Sequence, residues 1–130
     1  MTNDGVIVAV IDDDPSVRRG LSRLFRSRGY RVETYASARG FLERGDYARL
    51  ACLVLDVRMP GQGGLDLYEA LTKRGECPPA VFITGHGDIP TVVRAMKAGA
   101  VDFLAKPFDD EELLDAVHQA LNGKGRRRPG

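Results

Sequence analysis

Apolar and polar positions recur along this chain in a fixed order: a short apolar run, then an amphipathic stretch. Val6 to Ile11 is the first unbroken run, the pattern of a strand buried on both faces. Asp12-Asp13-Asp14-Pro15 stops it, with Asp14 placed to cap a helix and Pro15 at the first helical position. Val17, Leu21, Leu24 and Phe25 fall on one face of that helix, and Gly29 ends it. Arg31 to Tyr35 alternates, as a strand with one wetter face near a sheet edge does. Ser37 opens a short helix that carries Phe41 and Leu42 and stops by Gly45.

Cys52 to Leu55 is a second fully apolar run. It ends in a carboxylate, Asp56, before Pro60-Gly61 turns the chain away. Leu65, Tyr68 and Leu71 mark the third helix, and Ala80 to Ile83 the fourth strand, which ends at Thr84-Gly85-His86-Gly87. Asp88 and Pro90 open a fourth helix closed by Gly99, and its Ile89, Val92, Val93 and Met96 are expected in the core. Val101 to Ala105 is the fifth strand, ending at Lys106-Pro107. Asp109-Asp110-Glu111-Glu112 begins the last helix, with capping-box spacing between Asp109 and Glu112. Leu113, Ala116, Val117, Ala120 and Leu121 form its buried stripe, which leaves His118 on the surface.

Five strands alternating with five helices predict an α/β domain with a parallel sheet covered on both faces. Right-handed crossovers bring the carboxyl ends of all the strands to one edge. That edge collects Asp12, Asp13, Asp56, Thr84 and Lys106. Each has an ordinary explanation by itself: a cap, a turn, a strand-end hydroxyl, a surface lysine. As a set they describe a site. Neighbouring strands lie about 4.8 Å apart, and carboxylates at that range repel by about 3 kcal/mol at an effective dielectric near 20. Such a cluster stays ionised beside a counter-cation. All-oxygen ligands point to Mg²⁺ (or Mn²⁺), which keeps open positions for water and phosphate oxygens and so suits phosphoryl transfer. Thr84 and Lys106 add a hydroxyl donor and a fixed positive charge for a phosphoryl group.

Charge and composition narrow the picture. The 130 residues carry a formal charge of +1, but the tail, residues 122–130, holds Lys124, Arg126, Arg127 and Arg128 without an acid. The remainder has 15 basic against 18 acidic groups, about −3, which argues against a general basic surface for nucleic acid. With its glycines and Pro129, the tail reads as a linker more than as a nucleic-acid arm. The expected division is therefore a domain over 1–121 and a basic linker over 122–130. Cys52 and Cys77 form no metal-spaced set, and reduced thiols in the cytoplasm are expected. No apolar run approaches a membrane span, and the first residues lack a signal peptide's basic start. No glycine-rich loop follows the first strand, which disfavours a nucleotide-binding module.

Asp12-Asp13, Asp56 with Met59-Pro60, Thr84-Gly85 and Lys106-Pro107-Phe108 together resemble the receiver domain of two-component response regulators, in order and spacing over roughly residues 6–121. Ile83 to Pro90 and Met96 to Phe103 resemble the FixJ type in particular. The resemblance implies a CheY-like, doubly wound, flavodoxin-like (βα)5 sandwich with strand order 2-1-3-4-5. It implies that Asp56 is the phosphoacceptor for a sensor histidine kinase. Asp13 would then bind Mg²⁺ directly and Asp12 largely through water, with the Arg58 backbone carbonyl as a further ligand. Thr84 and Lys106 would contact the phosphoryl oxygens, and the Lys106-Pro107 bond would be cis. In this scheme the protein catalyses its own phosphorylation and slow dephosphorylation without being a conventional enzyme.

The switch implied by the resemblance draws Thr84 towards the phosphoryl group and turns an aromatic on strand five, here Phe103, inward. Phe103 is equally at home as simple core. It lacks the hydroxyl that a Tyr supplies there in other members, so only burial can drive its rotamer. Arg58 and His86 sit where side chains influence phosphoryl lifetime, and solvated loop residues are the even alternative. Helix four offers Val92, Arg94 and Lys97 as outward positions, with Asp102 and the Asp109–Glu112 cluster supplying the opposite charge. A phosphorylation-dependent homodimer through helix four and strand five is expected, with DNA contacted only through an output domain not in this chain. Two alternatives stand beside this. One is a single-domain regulator acting on a protein partner. The other, more distant, is a haloacid-dehalogenase-like phosphatase with Asp12 as nucleophile and a second Asp two residues on.

Overall fold

The computed structural model describes residues 5–59, 61–75, 77–85 and 89–122. Strands and helices alternate as β1 (Ile7–Ile11), α1 (Pro15–Ser27), β2 (Arg31–Tyr35), α2 (Ala38–Arg44), β3 (Cys52–Asp56), α3 (Gly64–Lys73), β4 (Ala80–Thr84), α4 (Ile89–Lys97), β5 (Asp102–Ala105) and α5 (Asp110–Asn122). The strands form one parallel sheet in the order β2-β1-β3-β4-β5. The three continuous apolar runs lie in its centre, where every residue of β1, β3 and β4 is buried. β2, the strand whose sequence alternates, is an edge. Among the described residues no helix is long and apolar enough to cross a membrane.

The strand period of two sorts the core into two layers. Ala9, Ile11, Leu53, Leu55 and Phe82 face α2 and α3, packing with Phe41, Leu67 and Leu71. Val8, Val10, Val54, Val81 and Ile83 face α1 and α5, packing with Phe25, Leu113 and Val117. Local chemistry sets the helix ends. The Asp14 carboxylate accepts from the Ser16 N–H at 2.8 Å with Pro15 next in the chain. The Ser37 hydroxyl accepts from the Gly40 N–H at 3.0 Å, and Glu112 accepts from the Asp109 N–H at 3.2 Å. Gly29 leaves α1 at φ 88°, a backbone conformation that glycine adopts without strain. The last helix runs one residue beyond the expected boundary, through Asn122.

The reading of helix four as core is corrected by the structure. Only Ala95 of α4 is buried, while Ile89, Val93 and Met96 are 78%, 43% and 43% exposed. Val92 is half-buried. An apolar stripe at helical spacing shows which side of a helix avoids water, not whether its own domain covers that side. Arg94 is exposed, as expected of an outward position, but it is already paired. Its guanidinium turns back to α3, pairing with Glu69 and reaching Asp66 at 3.2 Å. Asp88, which was to open this helix, lies outside the described residues.

A 3-10 turn at Tyr47–Arg49 has no counterpart in the sequence reading. Tyr47 stacks on Phe41 with ring centroids 4.9 Å apart, and Arg49 makes a two-pronged ion pair with Glu33 on the edge strand. The Arg49 side chain holds the Glu33 carboxyl down to about 2; burial opposes this and a hydrogen bond from the Tyr35 hydroxyl assists it. A depressed carboxyl pKa contributes stability that is complete above the ordinary value near 4.5 and is lost as pH falls towards 2. Both side chains keep about a quarter of their surface in water, so screening holds the contribution to about 1 kcal/mol. Glu33→Gln should therefore melt several degrees lower at neutral pH. Thermal melts across the acid range should show the two proteins converging near pH 2.

Candidate functional site at the carboxyl edge of the sheet

β1, β3, β4 and β5 all end at one edge, and the polar residues that follow the apolar runs meet there. Oxygens of Asp12, Asp13 and Asp56 lie within 4.8 Å of one another. Asp12 is fully buried and Asp56 is 6% exposed, while Asp13 is exposed at the rim. The Lys106 ammonium reaches in from the end of β5, 3.1 Å from Asp12 Oδ2 and 3.6 Å from Asp56 Oδ2. The Lys106-Pro107 bond is cis, as the resemblance implied. Thr84 is buried at the end of β4, and its carbonyl accepts from the Lys106 N–H at 2.7 Å.

The local backbone explains why these side chains hold still. Asp12 Oδ1 accepts from the Asp14 N–H at 2.9 Å, and the Asp12 carbonyl accepts from Arg18 Nη1 at 2.7 Å. Asp56 Oδ1 accepts from the Arg58 N–H at 3.2 Å. Behind Asp56, the start of α3 comes so close that a Cβ on Gly64 would lie 2.1 Å from the Asp56 carbonyl oxygen. A Cβ on Gly63 would lie 2.8 Å from that of Val57. Only glycine permits this approach, and neither glycine nor Arg18 was singled out from the sequence. Gly63-Gly64 beside the Asp56 turn was the available signal, since paired glycines mark close backbone contacts.

The electrostatics follow from burial. Burial raises the Asp56 carboxyl to about 6, the Asp12 charge adds to this, and Lys106 and the Arg58 N–H pull the other way. Burial alone would lower Lys106, but its hydrogen bond to Asp12 and the two nearby carboxylates overcome that and raise it. Three acids against one base leave a formal charge of −2, which a divalent cation would neutralise. The oxygens at this rim fit a hard divalent cation, and the described residues contribute no sulfur or imidazole there.

Of the expected site residues, Asp12, Asp13, Asp56, Thr84 and Lys106 converge. Arg58 contributes its backbone N–H to Asp56 while its side chain is exposed. Phe103 stands on β5, half-buried, 6.2 Å from the ring of Phe82. His86 lies outside the described residues. His118 is exposed, as expected. The phosphatase alternative needed a second acid at position 14, but that carboxylate is exposed and turned to the helix cap.

The raised Asp56 pKa carries a sign. Between about 3.8, the ordinary value, and about 6, the folded state holds a proton that the unfolded chain has released. Without metal, stability should fall as pH rises through that window. Asp56→Asn should flatten this part of the curve and melt higher than wild type at neutral pH in chelator. Melting temperatures that change with pH between 4 and 6 at the same rate in wild type and variant would contradict it.

Comparison with known proteins agrees with this geometry. The response regulator receiver domain family matches residues 8–118. Nodulation protein W of Bradyrhizobium diazoefficiens is 54% identical over 122 residues, covering 94% of this chain and 54% of that protein. The transcriptional regulatory protein FixJ of Azorhizobium caulinodans is 48% identical over 114 residues, covering 88% and 54%. The solved response regulator StyR superposes with a TM-score of 0.85 at 54% identity, over 91% of this chain and 60% of that one. The chain thus spans little more than half the length of these relatives. Family match, identity and fold agree: this chain belongs to the response regulator receiver domains of two-component signalling, and its relatives include FixJ.

Proposed function

We propose that Asp56 accepts a phosphoryl group from the phosphohistidine of a sensor kinase. The observation that carries this is a buried carboxylate flanked by two further acids and one ammonium, in a receiver fold. An Asp56 oxygen attacks phosphorus, the P–N bond breaks, and the histidine ring keeps the electron pair and takes up a proton. The product is an acyl phosphate. Asp13 and Asp56, with Asp12 through water and the Arg58 carbonyl, would hold Mg²⁺ (or Mn²⁺). That ion, when bound, offsets the negative charge of carboxylate and phosphoryl group. Lys106 keeps Asp56 ionised at neutral pH and is placed to pair with a phosphoryl oxygen. Thr84 ends β4 beside them, and its hydroxyl is the donor that a new phosphoryl group would draw in.

Output follows from the surface that α4 leaves uncovered. Ile89, Val93 and Met96 lie exposed beside Lys97, and Phe103 on β5 is half-buried next to them in the fold order. In the proposed switch, Thr84 moves towards the phosphoryl group, Phe103 turns inward, and two copies pair through α4 and β5. The pairing would then control a DNA-binding output domain in the full-length regulator. A single-domain regulator that offers the same face to another protein is the second reading, favoured only by the exposed apolar stripe itself.

Incubation with acetyl phosphate and Mg²⁺ should place one phosphoryl group on Asp56, seen as a mass increase. Asp56→Asn should abolish it, and Asp13→Ala should lose both labelling and Mg²⁺-dependent stabilisation. Label persisting in Asp56→Asn would move the phosphoacceptor elsewhere. Sedimentation with beryllofluoride should show a monomer becoming a dimer. Val93→Asp and Lys97→Glu should weaken the dimer and leave Asp56 labelling intact. Arg94 is a poorer probe because it also holds α4 to α3. An unchanged mass at high protein concentration would point to the single-domain reading.

A further inference from the structure

The net charge of the body hides a local surface. From Pro15 to Val32 the chain carries six arginines and no lysine, aspartate or glutamate. On α1 the structure gathers four of them around an open groove of about 620 Å³, with Arg18, Arg19, Arg23 and Arg26 joined by Ser22 and Thr34. Arg18 is committed to the Asp12 carbonyl. Arg19, Arg23 and Arg26 are exposed, and among the described residues none of them pairs with a carboxylate. Their spacing of four and then three residues sets them on one side of the helix, about 10 Å from first to last. Like charges at this spacing are mutually unfavourable on a helix, and an anion on the surface would relieve that.

We propose that this α1 face binds the phosphate backbone of nucleic acid. Guanidinium forks and hydroxyl donors are the chemistry that phosphate oxygens select. Every polar side chain lining the groove can donate, and none is an acid. Pro15 is the one apolar side chain in its lining beside arginines, serines and a threonine. The hollow on the other flank of α1, with Leu24 and Phe108 in its lining, meets the groove at Arg23 and Ser27 and offers the apolar side chains that a protein would favour. A second basic run, Lys124, Arg126, Arg127 and Arg128, follows α5 in the sequence and is not needed for this site. The reading does not depend on phosphorylation of Asp56.

The test is fluorescence anisotropy of a labelled, mixed-sequence DNA duplex titrated with the unphosphorylated chain. Binding should be weak and salt-steep. With three or four phosphates neutralised, affinity should fall roughly forty- to a hundred-and-fiftyfold between about 50 and 200 mM salt. Arg19→Gln, Arg23→Gln and Arg26→Gln combined should reduce the slope of log affinity against log salt by about 2 to 3. The corresponding glutamate triple should abolish binding, with circular dichroism as the check on folding and the glutamine triple deciding if it misfolds. Replacing Lys124, Arg126, Arg127 and Arg128 by glutamine should retain most of the affinity. No binding at about 50 mM salt would overturn the proposal, and so would binding lost only with the tail. Tighter binding of polyglutamate than of the duplex would overturn it in favour of an acidic protein partner.

Discussion

The ammonium of Lys106, 3.1 Å from Asp12 and 3.6 Å from Asp56, sets the terms for the whole carboxyl edge of the sheet. Two carboxylates that deep in a protein cannot both ionise cheaply, and burial already lifts Asp56 to about 6. One lysine lowers that cost without cancelling it. The remaining −2 leaves the edge attractive to a divalent cation, and an anionic phosphoryl group would be accepted only with that charge offset. This state requires β1, β3 and β5 to end at the same height, which the parallel order β2-β1-β3-β4-β5 provides. It also requires α3 to start against the Asp56 carbonyl, which Gly64 alone permits. The fold and the charge arrangement are therefore one constraint seen twice.

That constraint is why so much was legible before the structure. Strands buried on both faces must be apolar throughout, so Val6 to Ile11 and Cys52 to Leu55 announced themselves, and the acids ending them stood out by contrast. Asp14-Pro15 and Ser37 named helix starts because caps are local chemistry. What stayed hidden depends on distance in space. Nothing near Arg49 in the chain points to Glu33 as its partner, and nothing in Gly63-Gly64 says which carbonyl it must clear. The net charge misled for the same reason, because summing over the chain erased the arginine row on α1.

Helix four shows the opposite failure. Its apolar positions were correctly identified and then assigned to the wrong environment, since periodicity is silent about what covers a face. The consequence is physical as well as interpretive. A helix that buries only Ala95 and is tied to α3 through Arg94 has a thin apolar anchor. Exposed ion pairs of this kind contribute little, so α4 is among the elements a small local change can displace. A charge added at Asp56 would need such a weakly held element if it is to be felt at the surface.

The proposed coupling between Asp56 and α4 passes through Phe103, and its size can be bounded. Phe103 has no hydroxyl, so its inward and outward positions differ only in burial and packing against Phe82, 6.2 Å away. Fully burying a Phe side chain is worth about 1.5–3 kcal/mol. Phe103 is already half-buried, which leaves about 1 kcal/mol for the inward turn, or roughly a fivefold shift in population. A step of that size cannot by itself convert a resting receiver into an active one. The rest must come from the Thr84 hydroxyl meeting phosphoryl oxygens and from apolar area on Ile89, Val93 and Met96 being covered in the paired state. A receiver built this way would respond in a graded manner to phosphorylation alone and sharply only where a partner surface is present to complete the exchange.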